Sequence, residues 1–138
     1  MTTKNPLDDA TIAEIKQRTD MMERIWARYA HARKKHPYFC DGLLPRGIEP
    51  PELPVDEQIA INLMRSRNRL KRGAELGNIL WNEVLDSEVW EATEAMSNRE
   101  YDKAVEELFD CIAVLLRTID VLEGRQKLGR PETKGKAE

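Results

Sequence analysis

The chain has 138 residues, enough for one domain with a buried core and too few for two comfortable ones. Its formal net charge of −3 gives no overall attraction to nucleic acid or to an anionic membrane. Charged residues make up 34% of the chain and aromatic residues 6%, and the Val/Ile/Thr alternation of strands is absent, which predicts an all-α protein.

The sequence also favours a cytoplasmic location with no membrane partner. Asp8 and Asp9 precede the first amphipathic segment, where a signal peptide would carry basic and then apolar residues. Uncharged apolar runs fall far short of the roughly 20 residues that cross a bilayer. Cys40 in a loop and Cys111 in an apolar run are typical of free thiols in a reducing compartment.

The first predicted helix opens at Pro6 and Asp8 and runs to about His36, because Pro37 cannot continue it. Its apolar residues recur at threes and fours and form one stripe that consists of Ile12, Ile15, Thr19, Met22, Ile25, Trp26 and Tyr29. A loop rich in Pro and Gly follows over residues 37–54. Loops of this length are often functional.

The second helix is predicted from Val55 to about Arg72, with Asp56 as its N-cap. Gly73 and Gly77 indicate a break after it.

A third helix is predicted over residues 76–96. Ser97 and Glu100 then have the spacing of a capping box, which predicts a fourth helix that ends near Gly124. We expect an antiparallel bundle of about four helices as a single domain over residues 1–124. The polar residues 125–138 are predicted to be a disordered tail.

Four acidic residues lie where helical periodicity predicts buried apolar side chains. Glu88 and Glu91 share the apolar stripe of the third helix, and Glu107 and Asp110 share one stripe of the fourth. Asp110 also interrupts the most apolar stretch of the chain, residues 108–116. A carboxylate is almost never fully buried unless it is paired or bound to a cation. A short turn between the two helices would bring these pairs together.

Four facing carboxylates would repel one another, and a hard divalent cation removes that repulsion. The spacing therefore predicts a Mg²⁺ site, with Mn²⁺ as a possible substitute. A single E-x-x-E pattern carries little information, and surface or ion-pair roles for these residues stay open. Two other registers for the first acidic pair also stay open: Glu83 with Asp86, and Glu91 with Glu94.

Residues 87–96, followed by residues 106–110, resemble the MazG-like nucleoside triphosphate pyrophosphohydrolases, whose motif is E-x-x-E, a short connection and E-x-x-D. The resemblance implies that Mg²⁺ is bound by Glu88, Glu91, Glu107 and Asp110. It implies hydrolysis of a nucleoside triphosphate to the monophosphate and pyrophosphate, in a helical homodimer or homotetramer whose subunits complete each other's sites. Ser87 departs from the pattern, since an acid often precedes the first Glu of the motif.

Basic residues offer candidate contacts for a triphosphate, and four are predicted to bind it: Arg69, Lys71, Lys103 and Arg117. The first two belong to a dense basic run over residues 65–72. The same run supports an alternative function, a non-catalytic helical regulator or a nucleic-acid-binding module. The net charge makes nucleic acid the less favoured partner.

Overall fold

The computed structural model describes residues 7–37, 42–45 and 53–128. Within these ranges the chain forms four α-helices and no strand, which confirms the all-α class. The helices are α1 (Asp9–Lys35), α2 (Val55–Leu76), α3 (Trp81–Ser97) and α4 (Tyr101–Leu122). Most of the predicted 37–54 loop, Cys40 and the tail beyond residue 128 lie outside the described residues.

Contacts divide the chain into two compact units, Met1–Asp41 and Gly42–Glu138. The single domain expected over residues 1–124 stays a prediction. No helix in the described part of the chain is both long enough and apolar enough to cross a membrane.

Helix α1 begins where the sequence predicts, because the side chain of Asp8 accepts a hydrogen bond of 2.7 Å from the backbone N–H of Thr11. The predicted apolar stripe, by contrast, is exposed at Ile12, Trp26 and most of its other positions. Met21, which lies outside that stripe, is the buried residue of α1.

Helix α2 is longer than predicted and is capped differently. Pro54 occupies the N-cap position without a side-chain hydrogen bond, so the expectation that Asp56 is the N-cap is wrong. The helix continues through Gly73 and ends at Gly77, whose φ of 71° is the left-handed conformation that glycine adopts most easily. At Gly73 an added Cβ would lie 2.8 Å from the backbone oxygen of Asn78, so only glycine fits this tight turn.

The boundary between α3 and α4 also differs from its prediction. Ser97 is the last residue of α3, and Glu100 precedes α4 without a side-chain cap, so the expected capping box is wrong. Arg99 makes the reversal with a left-handed φ of 59°. The short link places α4 as an antiparallel neighbour of α3, which is the feature that the site requires.

Helix α3 packs against α2 on one side and against α4 on the other, whereas α2 and α4 do not touch within the described residues. The second unit is therefore an open layer with a small core that includes Ile59, Leu63, Ala92 and Ala95. The outer side of α4 exposes a row of large apolar side chains: Val105, Leu108, Phe109, Ile112, Leu115 and Leu122.

Residue Arg125 lies in the segment predicted to be a disordered tail, yet its side chain is held in place. Its Nε donates to Asp120 Oδ1 at 3.0 Å and its guanidinium donates to Glu123 Oε1 at 2.8 Å. These bonds raise the pKa of Arg125 and fasten the chain to the end of α4.

Candidate metal centre

Three of the four predicted ligands meet between α3 and α4. One carboxylate oxygen from each of Glu88, Glu107 and Asp110 lies within 4.8 Å of the others. Glu107 and Asp110 share a face of α4 because they are three residues apart, and Glu88 faces them from α3. We call these three residues the carboxylate cluster.

Glu88 is the most constrained member of the carboxylate cluster. Its Oε2 atom is buried and has no hydrogen-bond partner. Desolvation raises the pKa of Glu88 from 4.5 to about 7, and the neighbouring charges of Glu91, Asp110 and Glu107 add to the shift. A buried carboxylate oxygen without a donor is costly unless it gains a proton or a cation.

Desolvation raises the pKa values of two further groups near Glu88, Glu107 and Cys111. The pKa of Glu107 is raised by desolvation and then by its contact with Glu91, and the charge of Lys103 only partly opposes this. Burial also raises the pKa of the Cys111 thiol, with smaller contributions from Glu88 and Asp110. The buried thiol of Cys111 is thus neutral and lies beside the cluster, a position that was not predicted from the sequence.

Asp110 does not lie in the buried environment that its apolar sequence neighbours predict. It was expected to be buried because apolar residues surround it in sequence, but its side chain is exposed. Within the described residues of the second unit, α4 packs against α3 and not against α2, and neighbours such as Phe109 and Ile112 are exposed as well. The carboxylate that has a buried oxygen is on α3, at Glu88.

Glu91, the fourth predicted ligand, lies at the edge of the carboxylate cluster and has a cationic partner. Its Oε1 is 3.3 Å from a terminal guanidinium nitrogen of Arg67 on α2. Arg67 was not among the predicted site residues, although it belongs to the basic run. Side-chain periodicity on α2 alone gave no sign that this arginine would face α3.

The competing register of the first acidic pair points away from the cluster. Asp86 is 3.2 Å from the guanidinium of Arg69, on the α2 side of α3. This ion pair neutralises the charge of Asp86. Neither Glu83 nor Asp86 belongs to the carboxylate cluster. Glu94, from the third register, is also outside it. The geometry favours the register that includes Glu88.

The four predicted phosphate-binding residues are not gathered at one point. Arg69 pairs with Asp86, and Lys103 pairs with Glu100 at 3.8 Å. Lys71 and Arg117 are exposed on α2 and α4. Of these four, Lys103 is the residue whose charge acts on the carboxylate cluster.

The chemistry of the carboxylate cluster fits a hard divalent cation. Mg²⁺ and Mn²⁺ prefer carboxylate oxygens, and a site with three such ligands leaves positions for water and for substrate oxygens. The buried and unpartnered Oε2 of Glu88 would gain a partner. A cation would also offset the desolvation and the repulsion that together raise the pKa values of Glu88 and Glu107.

Comparison of the chain with protein-family models, with curated proteins and with solved structures found no match. The MazG-like resemblance therefore stays a prediction that rests on the two acidic motifs and their placement.

Proposed function

We propose that the chain is a divalent-cation-dependent hydrolase that cleaves a nucleoside triphosphate to the monophosphate and pyrophosphate. The observation that supports it most is the buried, unpartnered Oε2 of Glu88 beside two further carboxylates. Glu88, Glu107 and Asp110 would hold Mg²⁺, or Mn²⁺ in its place, with Glu91 as a fourth ligand. The nucleotide substrate comes from the MazG-like resemblance of residues 87–96 and 106–110.

In the proposed reaction a water oxygen forms a bond to the α-phosphorus, and the bond from that phosphorus to the α–β bridging oxygen breaks. A bound cation supplies charge neutralisation at the phosphoryl oxygens and lowers the pKa of a coordinated water. The carboxylates of this chain orient the site, and the buried thiol of Cys111 lies beside them. Lys103 lies close enough to affect Glu107 and offers a cation for a phosphate oxygen.

The alternative, nucleic-acid binding through the basic run 65–72, has weaker support. Arg67 and Arg69 each form an ion pair with an acid of α3. Two of the five basic side chains in the run are thus partly neutralised, which lowers their attraction for a phosphate backbone.

The proposed function can be tested with a panel of nucleoside and deoxynucleoside triphosphates in the presence of Mg²⁺. We expect release of pyrophosphate and of the corresponding monophosphate, with no release when the cation is chelated. Asp110→Asn should abolish turnover, whereas Glu94→Gln should leave it unchanged. Absence of turnover with every nucleotide, together with no binding of Mg²⁺ by calorimetry, would exclude the enzyme.

A homodimer or homotetramer is also part of this proposal. The exposed apolar row on α4 supports it, because association would remove that surface from water. Light scattering coupled to size-exclusion chromatography should give a mass at least twice the 16.0 kDa of the chain. A cytoplasmic location is proposed from the sequence features alone.

A further inference from the structure

Glu91 stands between two opposite electrostatic environments. On one side its Oε1 lies 3.3 Å from a guanidinium nitrogen of Arg67. On the other side its carboxylate is close enough to Glu88 and Glu107 to raise the pKa values of both. The Glu91 carboxylate is thus shared between Arg67 and the carboxylate cluster.

The ion pair of Glu91 with Arg67 is one that a competitor can break. The side chain of Arg67 is 57% exposed and that of Glu91 is 27% exposed. Ion pairs with this much solvent contact contribute little to stability, because water screens them. A divalent cation bound by the carboxylate cluster would attract the Glu91 carboxylate with twice the charge of the guanidinium.

We propose that Arg67 is a positioning residue that competes with the cation for the Glu91 carboxylate, and that cation binding transfers Glu91 to the cation and frees the guanidinium to bind a phosphate group of the substrate. The inference rests on the proposed cation site. A guanidinium offers several N–H donors in a planar fork that matches phosphate oxygens. Cation binding would then come first and phosphate binding second.

The matched pair of variants is Arg67→Gln and Arg69→Gln. Both remove one arginine of α2 that pairs with an acid of α3, but Arg69 pairs with Asp86 and not with Glu91. In calorimetry with Mg²⁺ alone, Arg67→Gln should bind the cation several-fold more tightly than Arg69→Gln, since the competitor for Glu91 is gone. At saturating Mg²⁺, Arg67→Gln should bind pyrophosphate about tenfold more weakly than Arg69→Gln.

A third variant, Arg67→Lys, separates charge from geometry. It keeps the competitor for Glu91 but loses the planar fork, so its Mg²⁺ affinity should stay near that of the wild type while its pyrophosphate affinity falls. Circular dichroism confirms that each variant is folded. Equal affinities of Arg67→Gln and Arg69→Gln for both ligands would overturn the inference while leaving the cation site intact. If the wild type binds no Mg²⁺, both the inference and the proposed function fail.

Discussion

The carboxylates on the two sides of α3 have opposite electrostatic environments. Toward α2, Asp86 and Glu91 each have an arginine, with separations of 3.2 Å to Arg69 and 3.3 Å to Arg67. Toward α4, the carboxylate cluster has no ion pair with an arginine among the described residues, and its oxygens lie within 4.8 Å of one another. On α3, Asp86 is therefore neutralised by an arginine, Glu88 is uncompensated, and Glu91 lies between the two sides.

This difference shows why acidic spacing alone does not identify a metal site. Glu83 with Asp86 and Glu88 with Glu91 have the same spacing on the same helix. Their surroundings differ because Asp86 and Glu91 each have an arginine of α2 as a partner, whereas Glu88 faces two acids of α4. An excess of negative charge in a half-buried place requires protons or a cation, whereas ion-paired acids on the surface require neither.

Among substitutions on α3, the largest effect is expected from Glu88→Gln, which removes the carboxylate with a buried oxygen from the uncompensated side. Loss of a metal ligand should weaken Mg²⁺ binding and lower kcat/KM by about a hundredfold or more. Glu94→Gln is the control, since it makes the same change on the same helix outside the carboxylate cluster. Calorimetry and steady-state kinetics measure both. Similar losses in Glu88→Gln and Glu94→Gln would contradict the proposal that the carboxylate cluster, and not any acid of α3, binds the cation.

The second prediction concerns stability in the presence of a cation. A ligand that binds the native state alone should raise the free energy of unfolding by about 2.7 kcal/mol at a concentration one hundred times its Kd. Urea denaturation with and without Mg²⁺ measures this gain in the wild type. The gain should be nearly absent in Glu88→Gln and retained in Arg69→Gln. An equal gain in all three proteins would mean that Mg²⁺ binds elsewhere.

The sequence was sufficient to predict the all-α class and most of the helices. It also predicted that Glu88, Glu107 and Asp110 would meet, because helical phase and a short turn decide that geometry. It did not predict which carboxylate is buried. Burial of Asp110 was inferred from apolar neighbours in sequence, yet several of those neighbours, such as Phe109 and Ile112, are exposed on the side of α4 away from α3.

The role of Arg67 illustrates the other kind of limit. The basic run over residues 65–72 has five candidates, and sequence alone does not fix which of them turns toward α3. That depends on how α2 is rotated about its axis against α3, which the spacing of residues on α2 alone does not determine.

The third prediction uses pH to compare wild type and Glu88→Gln without a cation. The pKa of Glu88 is raised to about 7 in the folded protein, above its ordinary value of 4.5. The carboxyl of Glu88 therefore binds its proton more tightly in the folded state than in the unfolded state. The stability that this proton contributes is complete below pH 4.5 and is lost as the pH rises through 7. At pH 8, Glu88→Gln should be the more stable protein by about 1–2 kcal/mol, allowing for screening by solvent.

Urea denaturation of the two proteins at several pH values measures this difference. The advantage of Glu88→Gln should vanish near pH 4, where the wild-type carboxyl is protonated. Glu94→Gln should follow the wild type across the whole range. A constant difference between Glu88→Gln and the wild type at all pH values would indicate a packing effect instead of a titration.

The smallest effect is expected on the neutralised side of α3. Arg69 and Asp86 are 59% and 41% exposed, so water screens their attraction. A double-mutant cycle with Arg69→Gln and Asp86→Asn should give a coupling energy of about 0.5 kcal/mol or less. A coupling several times larger would mean that this ion pair anchors α2 to α3. Its arginine would then be a structural element of the layer, and Arg69→Gln would no longer be a neutral control for the exchange proposed at Arg67.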